Sequence, residues 1–326
     1  MSLLETRLTR AFDLAHPLVL APMAGVAGGA LAAAVARAGG LALLGGGYGD
    51  ADWLAREWAL AGDAPIGVGF ITWRLGPALL EQALARQPRA VMLSFGDPAP
   101  FAPAIHAARA ALICQVQELD HVRAALDAGA QVIVAQGAEA GGHGARRGTM
   151  TLVPEVADLL AARAPKVLLL AAGGVADGRG LAAALALGAD GALIGTRLAV
   201  SAESLVPEGF RRAAVAASGD GTLRTRAVDA VRGLDWPEPF DIRVLASDFT
   251  DEWHHDADYL RSPEAAPLRA RFQLAQAQGD ARHGAAVLGE AVGLIHDAPP
   301  AATILSRITA QAAAILSSRG LPGPPA

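Results

Sequence analysis

Lys166-Val167-Leu168-Leu169-Leu170-Ala171-Ala172-Gly173-Gly174 is the stretch on which the reading of the fold turns. It is a continuous apolar run that stops at a glycine pair, too short for a helix and without the alternation of a half-exposed strand. Such a run predicts a strand buried on both faces. An alanine-rich amphipathic segment follows over 178–187, stopped by Gly188, and a second run, Gly191-Ala192-Leu193-Ile194, ends in Gly195-Thr196. Strand, helix and strand in one direction make a βαβ unit, which needs a parallel sheet.

Working outward, the same rhythm recurs. Apolar runs lie at 17–21, 41–44, 66–70, 90–94, 111–116 and 131–135, separated by helical patterns at 28–38, 52–61, 76–86, 102–110, 119–128 and 154–164. Glycines such as Gly39, Gly129 and Gly188 stand where helices should end. With the first two runs described, this gives about eight units, spaced by roughly 20–25 residues, and predicts an α/β fold of the closed (β/α)8 TIM-barrel type. A doubly wound sheet would carry a dinucleotide fingerprint after its first strand. Here that strand runs into Pro22-Met23-Ala24-Gly25 instead.

The rhythm stops near Leu205, and 234–261 reads as irregular and rich in Trp, Pro, Asp and His. Helical patterns return at 264–277 and 302–317. The expected organisation is a barrel over 1–205, completed by 286–326, with a smaller inserted domain over 206–285.

Composition narrows the function. The chain has 326 residues, 52% hydrophobic and 18% charged, with a net charge of -5. That describes a globular protein with ample core and gives no basic face for nucleic acid. The longest apolar region, 181–200, is broken by Asp190 and Arg197, so no spanning helix is expected. Glu5, Arg7 and Arg10 precede no apolar h-region, so no signal peptide is expected. The single cysteine, Cys114, excludes an intrachain disulfide and suits a reducing cytoplasm; its neighbours mark it as a core residue.

A barrel brings the carboxyl ends of its strands to one mouth. The expected ends are Pro22-Met23, Gly45-Gly46-Gly47, Gly69-Phe70, Ser94, Gln115, Gln136, Gly173-Gly174 and Gly195-Thr196. Glycine amides at the last two strands, with helix starts behind them, suit a phosphate; the plainer reading is a pair of tight turns. Beyond the sixth strand lies Ala135-Gln136-Gly137-Ala138-Glu139-Ala140-Gly141-Gly142-His143-Gly144, a glycine-rich loop whose His143 is placed to act as a general base. Glu139, Arg146 and Arg147 read as solvated charges, with an arginine on an anionic substrate the other reading. Gln115 and Gln136 either contact a heteroaromatic ligand or are ordinary polar residues. Trp236, Phe240 and Trp253 are expected in a pocket wall or in the small domain's own core. His254-His255-Asp256, His283 and His296 form no metal pattern, since adjacent histidines on an extended chain point apart. No nucleophilic triad is evident.

Pro22-Met23, the Gln136-Gly137-Ala138-Glu139-Ala140-Gly141-Gly142-His143 segment, Ala172-Gly173-Gly174-Val175-Ala176-Asp177-Gly178 and Ile194-Gly195-Thr196-Arg197 together resemble the nitronate monooxygenases, formerly 2-nitropropane dioxygenases. The resemblance extends to Gly289-Glu290 and Gly293-Leu294-Ile295, and flavin-dependent enoyl-acyl-carrier-protein reductases and some quinone reductases look similar at these motifs. It implies an FMN barrel under a lid-like small domain, oxidising alkyl nitronates or nitroalkanes with O2 to carbonyl compounds and nitrite. His143 would be the catalytic base or nitronate-binding residue. Gly173, Gly174, Gly195 and Thr196 would hold the FMN phosphate, and Ala21, Pro22 and Met23 would line the flavin with Gly69, Gln115, Gln136, Gly141 and Gly142 around it. Where many members carry asparagine and lysine, this chain has Gly69 and Gln115. The alternative is an NAD(P)H-dependent FMN reductase of enoyl thioesters or quinones. Barrels commonly oligomerise, and nothing in this sequence specifies an interface.

Overall fold

The computed structural model describes residues 4–318, so the outermost parts of the expected barrel segments, 1–3 and 319–326, lie outside the described residues. Eleven strands occur in chain order among them: β1 (Leu18–Leu20), β2 (Leu43–Gly47), β3 (Gly67–Ile71), β4 (Ala90–Ser94), β5 (Ala111–Val116), β6 (Val132–Gln136), β7 (Gly142–Gly144), β8 (Leu168–Ala172), β9 (Gly191–Ile194), β10 (Thr222–Thr225) and β11 (Asp241–Leu245). Eight of them form one parallel sheet in the order β1-β9-β8-β6-β5-β4-β3-β2. Closure comes at Leu41, whose N–H donates to Leu18 at 3.0 Å and whose carbonyl accepts from Leu20 at 2.8 Å. The fold is a TIM barrel.

Side-chain alternation sorts each strand into an inner and an outer face. Val19, Leu43, Met92, Ile113, Val132, Val134, Leu170 and Leu193 fill the interior, while Leu20, Leu44, Val91, Leu112, Ile133 and Leu169 pack outward against the helices. Continuing that alternation to the strand tops puts Ser94, Gln115 and Gln136 inward, at the mouth. Cys114 falls on the outward face, and burial pushes its thiol up to about 12, so it remains a protonated core residue.

Strand boundaries move from the sequence expectation by up to three residues, with β4, β5 and β9 unmoved. One helix differs more. Instead of starting at Pro154 it runs over Thr149–Arg163 with Pro154 inside it. Its extra first turn is held from outside: the Glu139 carboxylate accepts from the Thr149 N–H at 3.0 Å and from the Thr149 hydroxyl at 2.9 Å.

The stretch expected to be irregular carries β11 and two short helices, Asp248–Trp253 and Ala257–Arg261. A second sheet forms in the antiparallel order β10-β11-β7. Its third strand comes from the segment after β6, so the residues expected as an open glycine loop are partly a strand. The C-terminal helix Ala301–Ser318 returns to the barrel and buries Ile304, Leu305, Ile308 and Ala312. Among the described residues no helix is long and apolar enough to cross a membrane.

Candidate active site

The barrel mouth and the second sheet enclose a cavity of about 400 Å³. Ala21, Pro22, Met23, Gly69, Gln115, Gln136, Gly141, Gly142, His143, Gly173, Gly174, Gly195 and Thr196 all line it.

One end is built from backbone. Gly173 and Gly174 follow β8 with φ of +98° and +75°, left-handed values that glycine adopts without strain. Among the described residues, the N–H groups of Gly173, Gly174, Gly195 and Thr196 donate to no protein acceptor. Gly195 lies beside the first strand end, with Met23 Sδ and Ala21 Cβ 3.7 and 3.8 Å from the place a Cβ would take. The helix that follows does not contribute as expected. At β8 that helix, Gly178–Ala186, is capped by Asp177, which accepts from the Arg179 and Gly180 N–H groups, whereas at β9 the helix Thr196–Ala199 starts without a side-chain cap, so the anion-binding capacity lies in the glycine amides and the Thr196 helix start. The Thr196 hydroxyl accepts from the Gly289 N–H at 2.9 Å, which ties the cradle to the returning chain.

The middle is an amide relay. Gln136 Oε1 accepts from Gln115 Nε2 at 3.1 Å and Gln117 Nε2 at 2.8 Å, while Gln136 Nε2 donates to the His143 carbonyl at 3.0 Å. The relay fixes both cavity-lining amides and couples β5 and β6 to β7. Gly69 presents only backbone: a Cβ there would lie 2.2 Å from Pro22 Cγ, so the proline ring occupies the space an asparagine would need.

The far end holds His143, which is 9% exposed. Pairing of His143 with Ile242 in the β7–β11 ladder directs it into the cavity roof. Its Nε2 lies 3.0 and 2.9 Å from the two carboxylate oxygens of Asp229, itself 2% exposed. Its ring stacks on Trp236, centroids 3.3 Å apart and planes 9° from parallel. Burial lowers the His143 pKa below the ordinary 6.5, and the Asp229 hydrogen bond and charge oppose that shift. Because a carboxylate only accepts, Nε2 carries the proton in the neutral ring, and Nδ1 is the free basic nitrogen.

Asp229 was not singled out from the sequence. Its signal was a carboxylate inside the apolar turn Ala227–Val231, whose other side chains are all buried. Tyr48, Phe95 and Arg232, which also line the cavity, were missed as well. Of the three aromatics expected in the wall, only Trp236 lines the cavity. Phe240 packs behind it against Phe95, and Trp253 stacks on Tyr259 beside the buried cluster of Val228, Phe249, Leu260 and Phe272. Glu139 caps a helix, Arg147 pairs with Glu155 at 2.5 Å, and neither is simply solvated. His254 and His255 do not point apart: their backbone is at a helix end, not extended, and the rings lie 4.5 Å from each other. Among the described residues, no group of three or more His, Cys, Asp or Glu side chains gathers as a metal site.

Comparison with known proteins identifies the family. The sequence model of the nitronate monooxygenase family matches residues 5–72 and 77–311. A nitronate monooxygenase, npaC, of Metarhizium robertsii is 38% identical, covering 93% of this chain and 92% of the relative. One from Neurospora crassa is 33% identical, over 91% and 89%. Among solved structures, FabK from Thermotoga maritima aligns with a TM-score of 0.84 at 30% identity, covering 97% and 99%. A nitroalkane oxidase from Streptomyces ansochromogenes aligns at 0.77 and 25% identity, covering 96% and 100%.

Proposed function

The chain belongs to the nitronate monooxygenase family, an oxidoreductase family, and from that premise we propose that it oxidises alkyl nitronates with O2 to carbonyl compounds and nitrite using FMN. The observation that carries this reading is the buried His143–Asp229 pair, roofing a cavity whose other end is a cradle of free amides.

FMN fits the residues present. The Gly173, Gly174, Gly195 and Thr196 amides would take its phosphate, and Ala21, Pro22 and Met23 would flank its ring with the Gln115 and Gln136 amides. When bound it would supply one-electron redox chemistry that no side chain of this cavity can provide. The protein's own part is positioning and proton handling. Asp229 holds His143 with Nδ1 unprotonated, and from a neutral nitroalkane that nitrogen would take the α-proton, leaving the nitronate in place. The resulting imidazolium is stabilised by the buried carboxylate. A nitronate arriving already ionised needs no base, and His143 would hold it only with Nδ1 protonated, a form that the lowered pKa disfavours at neutral pH. Trp236, Phe95 and Ile242 close the cavity around the reacting end and keep water from it.

His143→Ala is expected to retain flavin and to lose turnover of neutral nitroalkane by about 10²–10⁴-fold, the usual contribution of a general base. Steady-state kinetics on flavin-loaded protein checks this, and unchanged rates would sink the role. A second reading, NAD(P)H-dependent reduction of an enoyl thioester or quinone, is favoured by the likeness to FabK over nearly the whole chain.

A further inference from the structure

The charges that face the cavity are few. Glu139 is committed to the first turn of the helix Thr149–Arg163, and His143 is committed to Asp229. Arg232 remains. Arginines close to it in the chain have carboxylate partners: Arg224 with Asp241, Arg226 with Glu238, Arg243 with Glu290 and Arg261 with Asp235. Arg232 lines the cavity, is exposed at its mouth, and has no ion-pair partner among the described residues.

Its position is fixed by an aromatic platform. The guanidinium carbon lies over the Tyr48 ring, 5.7 Å from the centroid, a cation–π arrangement, and the side chain also hydrogen-bonds the Tyr48 hydroxyl, which leaves the other N–H donors of the guanidinium for a ligand. The Tyr48 oxygen accepts from Trp236 Nε1 at 3.0 Å, so the phenol's own O–H remains available to donate. Tyr48 also lines the cavity. Two donors, one of them cationic, therefore stand together at the mouth of a largely apolar space.

We propose that Arg232, with Tyr48 beside it, recognises a planar two-oxygen anion on the substrate, selecting the ionised nitronate over its neutral nitroalkane. The geometry of a guanidinium fork matches such a group in two parallel hydrogen bonds. The assignment rests on the nitronate reading above for its natural ligand, but the anion site itself does not. His143 handles the proton and Arg232 reads the charge of the substrate, while the Arg232 charge also helps to keep the His143 ring unprotonated.

The test uses the full-length flavin-loaded protein with Arg232→Met and Arg232→Lys. Titration calorimetry with nitrate, a planar anion that is not turned over, should show binding to the wild type that Arg232→Met weakens about tenfold and Arg232→Lys weakens less. Kinetics should show the nitronate KM of Arg232→Met rising about tenfold, with most of the loss in KM and little in kcat, while the KM for neutral nitroalkane stays near wild type. Nitrate binding unchanged by Arg232→Met overturns the proposal. So does a parallel rise in KM for the neutral substrate, which would mean that shape and not charge is read. Should the wild type turn over no nitronate, the nitrate arm still decides the anion site while the functional reading alone falls.

Discussion

At the residue scale, the account depends on one hydrogen-bonded pair. His143 and Asp229 are separated by 86 positions in the chain and meet with 2.9 Å between Nε2 and the nearer oxygen. Each alone would be costly to bury; together the carboxylate fixes the tautomer and compensates part of the desolvation that lowers the histidine's pKa. The sign follows. A pKa below 6.5 keeps the ring neutral and basic through neutral pH, with activity on nitroalkane falling only on the acid side. Asp229→Asn removes the charge that favours the imidazolium, so the acid limb should move to still lower pH. Turnover should fall, by about tenfold or more, because the stabilisation of the protonated ring is lost. The pH profile of kcat/KM checks it; a limb unmoved by the substitution would separate Asp229 from the proton chemistry. A merely structural role would lower activity at every pH alike.

At the scale of elements, the barrel strands were legible because strands buried on both faces read as uninterrupted apolar runs. Glycine-terminated helices between them gave the period. The second sheet was not legible for the opposite reason. Its strands are three to five residues long, and β7 is Gly142-His143-Gly144, a composition with no strand propensity. Only pairing with β11 makes it a strand, and that partner lies about a hundred residues further on. The thirteen residues named from sequence share one cavity because strand tops converge, and Tyr48 follows β2 at the same rim, whereas Asp229 and Arg232 come from the short helix Ala227–Val231 and its end, between β10 and β11. Glu139 joins the two regions, capping the helix Thr149–Arg163 from the segment that leads into β7. Glu139→Ala should lower stability by about 1 kcal/mol, the usual cost of a lost cap. It should also reduce turnover by freeing the backbone ahead of His143. Thermal unfolding and kcat measured on the same preparation check both, and a stability loss with kcat intact would show that the cap and the site are independent.

At the scale of the whole molecule, the barrel supplies backbone donors, the second sheet supplies the histidine through β7, and the short helix between β10 and β11 supplies its carboxylate and, at its end, the mouth arginine. Relatives bear different activities in their names, nitronate monooxygenase for one and nitroalkane oxidase for another. Chemistry specific to this chain should therefore follow the roof, where Trp236 covers His143 and Arg232 sits on Tyr48, more than the cradle. Anaerobic mixing of the flavin-loaded protein with an alkyl nitronate and, separately, with NADPH, following the flavin absorbance, separates the two activities. The nitronate is expected to change the flavin spectrum, and NADPH to leave it oxidised. Rapid bleaching by NADPH with no response to the nitronate would contradict that expectation and assign the chain to the reductases of this fold.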